Sequence, residues 1–98
     1  MTGSYIADIA ARIRAIVPPE LLPEGETYEL FLIYAVLALA KGDRVDARDI
    51  HNAWAAWMST KDPDHESIVP YEDLPADVRR EDDPFLNAVR AVARDLRS

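Results

Sequence analysis

Residues 27–42 read TYELFLIYAVLALAKG, and this stretch decides the fold. Every position from Leu30 to Ala40 is apolar. The flanks of this run carry helix punctuation. Thr27 stands at the N-cap position, and Glu26 and Glu29 suit the positive end of a helix dipole. Gly42 supplies a left-handed stop. The spacing predicts a helix over 28–41. A helix that is apolar on every side belongs at the centre of its domain. A membrane span needs roughly 20 such residues, and this run is shorter. In a chain of 98 residues, three other helices need not cover it completely. Self-association as a homodimer would hide the remainder.

The flanking sequence supplies those neighbours. Ile6, Ile9, Ile13 and Ile16 recur at helical spacing and predict a first helix over 5–16. Ser4 is its N-cap, and Pro18-Pro19 ends it. The third helix starts at Asp46, with Asp49 completing a weaker form of the capping box and Val45 and Ile50 forming a hydrophobic staple. Ile50, Ala53, Trp54, Trp57 and Met58 face inward, with His51 at the rim of that face. This helix runs to about Thr60. The fourth starts with Asp83 as N-cap and Pro84 at the first helical position. Phe85, Val89, Val92 and Leu96 form its stripe, with Arg90, Arg94 and Arg97 off it. The expectation is one all-α domain over 1–98, built from four main helices. A long ordered acidic loop joins the third and fourth, with room for a short helix near 75–80.

Composition agrees. The chain is 49% hydrophobic and 30% charged, which are values of a globular domain. It has no cysteine, so neither a disulfide framework nor a thiolate metal site is available. The N-terminus lacks the pattern of a secretory signal. These features predict a soluble, cytoplasmic protein. The bias toward arginine over lysine suggests a GC-rich genome. The net charge of −7 is uneven. Residues 61–83 hold nine acids and three bases, a net of −6. Such a field repels nucleic acid and anionic membranes. It is either a solvated surface or a docking patch for a partner with a basic surface. In the second case Asp62, Asp64 and Glu66 are the candidate partner-binding residues.

Motifs for catalysis are missing. Three scattered glycines do not make a phosphate-binding loop. Ser67 and His65 are two apart, and in extended chain such neighbours face opposite ways, so no nucleophile–base pair is expected. Asp62, Asp64, His65 and Glu66 could offer metal ligands. The calcium-loop pattern fails because Ser67 occupies the position of its turn glycine, and zinc would need three or four converging ligands. No cofactor and no enzymatic activity are expected. Trp54 and Trp57, three apart on one face, read as core. His51 reads as a histidine bonded to loop carbonyls, and His65 as a pin between the loop and the third helix. A small-ligand pocket lined by His51, Trp54, His65 and Tyr71 is the competing reading, since apolar walls with a few polar groups are what ligand sites look like.

Residues 50–93 resemble the repeat domain of ryanodine receptors and its bacterial and phage relatives. That family carries a His-x-x-Trp helix, matched by His51 and Trp54. A block follows with His, an apolar pair, Pro-Tyr and Leu-Pro, matched by His65, Ile68, Val69, Pro70, Tyr71, Leu74 and Pro75. An acidic turn and a helix close it, matched by Asp82 or Asp83 and the helix after Pro84. The family's Gly-Trp and Tyr-Gly segment has no counterpart, and Ser59 to Asp64 fills that space. The whole chain also resembles a small actinobacterial and actinophage family. The resemblance implies a nucleotide-like ligand, sensed or sequestered. The leading expectation is a non-enzymatic binding or interaction module, regulatory or phage–host related.

Overall fold

The computed structural model describes residues 4–97. Four long helices make the frame: α1 (Tyr5–Ile16), α2 (Tyr28–Lys41), α3 (Ala47–Ser59) and α5 (Asp83–Arg97). A five-residue helix, α4 (Ala76–Arg80), lies between the last two. No strand occurs among the described residues.

The central place of α2 follows from its sequence. It touches α1, α3 and α5, and Leu30, Phe31, Tyr34, Ala35 and Ala38 are buried along it. Its neighbours do not cover it fully, and Val36 and Leu39 remain 51% and 47% exposed. Gly42 closes it with φ +61°, its N–H donating to the Ala38 carbonyl. The start differs from expectation. The Thr27 side chain makes no capping bond; instead Glu26 accepts from the Tyr28 N–H at 2.8 Å. No helix among the described residues is long and apolar enough to cross a membrane.

Around α2 the other helices present their stripes with small shifts in phase. In α1, Ser4 accepts from the Ala7 N–H as its cap, and Ile9, Ala10 and Ile13 are buried. Ile16, expected inward, is exposed. Val17 takes its place because the backbone turns extended there, one residue before Pro18. In α3 the reciprocal capping box forms: Asp46 accepts from the Asp49 N–H at 2.9 Å, and Asp49 accepts from the Asp46 N–H at 3.0 Å. Lys41 adds an ion pair to Asp49 at 2.8 Å. In α5 the buried face holds Phe85, Leu86, Ala88, Val89, Val92 and Ala93, while Leu96 stays exposed. Arg12 of α1 pairs with Asp95 of α5, and Arg90 donates to the Val45 carbonyl at 2.7 Å.

The connection from α3 to α5 is segmented. Turns lead to a 3-10 turn at Tyr71–Asp73, then to α4. Pro70 and Pro75 precede these two pieces, as their fixed φ favours. The turn after α4 runs straight into α5, and the Leu86 N–H donates to the Asp82 carbonyl at 2.9 Å. Asp82, not Asp83, therefore occupies the cap position, with Asp83 already helical.

Candidate functional site

The cap of α5 brings Asp82 to the edge of a concavity. A cleft of about 650 Å³ lies between α2, α3, the start of α5 and the two connecting segments. Its walls are built from each element in turn.

Helix α3 contributes His51 and Trp54, one turn apart on one face. His51 is 3% exposed, deeper than a rim position. Its Nε2 lies 2.6 Å from the Val69 carbonyl oxygen. A carbonyl only accepts, so Nε2 carries the hydrogen, and in the neutral ring Nδ1 is the acceptor. The ring stacks on Trp54, with centroids 5.9 Å apart at 25°. Trp54, expected in the core, is only half-buried and forms part of the cleft wall. Trp57 takes the core position at 3% exposed.

The segment after α3 folds back onto this pair. His65 meets the Trp54 ring edge-on at 5.1 Å and 83°. Its Nδ1 accepts from the Ser67 main-chain N–H at 3.0 Å, so these two residues meet through backbone and not through the serine hydroxyl. His51, Trp54 and His65 thus all line the cleft. Tyr71 does not. It stands beside His51 at 6.2 Å, with the guanidinium groups of Arg48 and Arg79 over its ring at 5.8 and 5.0 Å. Arg79 also donates to the Glu72 carbonyl at 2.7 Å, which anchors the 3-10 turn to α4. Tyr71 is a fastening of that turn, held between His51 and two guanidinium groups.

Two residues that the sequence reading passed over complete the site. Tyr34 of α2 lines the cleft while only 1% exposed. Its hydroxyl has no hydrogen-bond partner among the described residues. Burial, and then the charge of Asp82, push its phenol well above the ordinary range. Asp82 lines the same cleft. Burial pushes its carboxyl up to about 6; the charge of His51 works against this, and those of Glu81 and Asp83 add to it. The signal for Tyr34 was its hydroxyl, a polar tip inside an otherwise apolar run. Asp82 had no signal that set it apart from its acidic neighbours.

The candidate partner-binding acids lie elsewhere. Asp62, Asp64 and Glu66 are all exposed, and no ion pair engages them among the described residues. No group of three or more His, Asp or Glu among those residues is placed to hold a metal ion.

Fold and site together define a small domain, all-helical among the described residues, with an aromatic and acidic cleft. Residues 4–94 match the family described as Domain of unknown function (DUF7701), and the chain belongs to that family. Comparison with curated proteins and with solved structures gave no match.

Proposed function

We propose that this chain is a non-enzymatic binding module and that the cleft is its ligand site. One observation carries the reading. Three polar groups on three different elements, Tyr34, His51 and Asp82, converge on a cleft walled by Trp54 and His65. Few polar groups set in apolar and aromatic walls are the usual make-up of a small-ligand site. Binding without turnover is supported by the way Ser67 meets His65, through its main-chain N–H, which leaves no hydroxyl activated by that ring. The test is a ligand screen read by two signals, a thermal shift and movement of the Trp54 indole resonance. Binding in the cleft moves both. Ligands that raise stability without moving Trp54 would place the site elsewhere.

The similarity of residues 50–93 to the ryanodine-receptor repeat adds the alternative of a nucleotide-like ligand. It draws support from His51, Trp54 and His65 sharing one wall. The acidic lining favours the base or nucleoside part of such a ligand over its phosphates.

A second reading rests on its own observation. Asp62, Asp64 and Glu66 are exposed and engaged by no ion pair among the described residues, which suits a protein partner with a basic surface. Opposed charges across such an interface mainly raise the association rate. Lysine at all three positions is expected to slow association with a basic partner and leave the fold intact, because exposed substitutions rarely change stability by more than about 0.5 kcal/mol. Self-association through the exposed part of α2 is the remaining component, supported by Val36 and Leu39.

A further inference from the structure

We infer that the cleft takes an organic cation, an alkylammonium or guanidinium group, seated between the Tyr34 hydroxyl and the Asp82 carboxylate with its carbons against Trp54. This rests on the reading of the cleft as a ligand site and names the chemistry of its occupant.

The charge of the lining gives the sign. Glu20, Asp77, Glu81 and Asp82 face one base, Arg80. The ionised lining is therefore net negative, and a concave, partly apolar site concentrates that field. An anionic ligand would add a like charge where three carboxylates already go uncompensated. A cation supplies the missing counter-charge.

The acids alone would be a solvated rim. The buried tyrosine makes the difference. A phenol on a residue 1% exposed, without a protein partner among the described residues and lining the cleft, keeps its hydrogen-bonding capacity for what enters the cleft. It costs free energy unless something in the cleft bonds to it. Tyr34 and Asp82 line the same cleft, and no hydrogen bond joins them. A group seated between them that donates to both satisfies both. An ammonium has three N–H donors and a guanidinium five. A carboxylate or phosphate has none.

The walls fit the same ligand. The negative face of an indole attracts a cation within about 6 Å of its centroid, and Trp54 is the largest ring in the wall. It is held in place by stacking with His51 and by a T-shaped contact with His65. The methylene stem of an alkylammonium would lie along this surface while its charged head reached Asp82. The same chemistry occurs in free diamines and polyamines and in the lysine or arginine side chains of a peptide.

The experiment is a titration of the intact chain, by calorimetry and by the Trp54 indole resonance. One arm uses 1,5-diaminopentane and spermidine; a second uses N-acetyl-lysine amide and N-acetyl-arginine amide. Counter-probes are glutarate and adenosine monophosphate. Saturable binding of a cationic probe, with movement of Trp54, is expected. Asp82→Asn should weaken it by about tenfold, the scale of one charge-assisted hydrogen bond. Tyr34→Phe, which removes one oxygen and keeps the packing, should weaken it severalfold. Circular dichroism of both variants verifies the fold. The arm that binds more tightly distinguishes a free amine from a side chain. Equal affinity of wild type and Asp82→Asn overturns the inference. So does tighter binding of glutarate or adenosine monophosphate, although Trp54 movement would then leave the cleft standing as a ligand site. If no probe moves Trp54, the cation inference falls, and a silent broader ligand screen takes the cleft reading with it.

Discussion

The His51 Nε2 and the Val69 carbonyl oxygen lie 2.6 Å apart, across 18 residues of chain. With the edge contact of His65 on Trp54, this bond fastens the irregular chain after α3 to the helix that precedes it. One wall of the cleft depends on it. His51→Phe keeps the ring volume and removes the donor. The expected loss is about 1–3 kcal/mol, the range for a broken bond to a buried polar group. Amide hydrogen exchange of Ile68 to Tyr71 should quicken while that of α2 stays protected. Unchanged exchange in that segment would mean that ring packing, not the hydrogen bond, holds it.

The two tryptophans of α3 are expected to separate. Trp57 is 3% exposed in the core, so Trp57→Ala should destabilise by about 3–5 kcal/mol. Trp54 is half-buried against two imidazoles and faces the cleft. Trp54→Ala should cost less stability and abolish cleft binding. Urea denaturation of both variants, with the titration above, decides the order. A larger loss at Trp54 would make it the core residue that its spacing suggests.

That pair also shows where the sequence was legible. Periodicity says which face of a helix turns inward, and it found all four long helices and the capping box of Asp46 and Asp49. It does not say how far a stripe remains covered. Trp54 and Trp57 belong to one stripe, yet Trp57 lies within the core cluster while Trp54 is only partly buried against it. Ile16 and Leu96 lie near helix ends and stay exposed, Ile16 where the chain turns extended at Val17. The candidate cleft was partly legible. His51, Trp54 and His65 were found because imidazole and indole are scarce in this chain. Tyr71 stands outside the cleft lining, beside His51, because the 3-10 turn that carries it is not readable from periodicity. Asp82 depends on where one helix ends and the next begins, and nine acids in one segment hide that.

The apolar surplus of α2 leads to a concentration-dependent prediction. Val36 and Leu39 lie on successive turns and both remain about half exposed. A dimer that buries them should appear in sedimentation equilibrium at micromolar concentration. Val36→Asp with Leu39→Asp should return the protein to a monomer without unfolding it, because neither side chain belongs to the core. A wild-type chain that is monomeric at every concentration removes the dimer.

Asp82 should give the stability curve a recognisable shape. Its folded carboxyl titrates near 6, against an ordinary value of 3.8, so between those values the folded state holds a proton that the unfolded state has released. Stability from this group therefore rises as pH falls from above 6 toward 4, and levels off below. Asp49 acts in the opposite sense and in another window. Burial alone would raise its carboxyl, but hydrogen bonds from Lys41 and the Asp46 N–H, with the Lys41 charge, hold it below 3.8. Its contribution is present above that value and is lost as pH falls through the lowered one. Asp82→Asn separates the two. Asparagine caps a helix about as well as aspartate, and the main-chain bond from Leu86 to residue 82 is unaffected. The variant should be more stable than wild type at pH 7 and should lose the rise between pH 6 and 4, while the loss below 3.8 remains. Both proteins carry the same two histidines, so the difference between their denaturation midpoints across pH reports Asp82. A constant difference from pH 7 to 4 would mean that the Asp82 carboxyl is solvated, and that the cleft does not bury it.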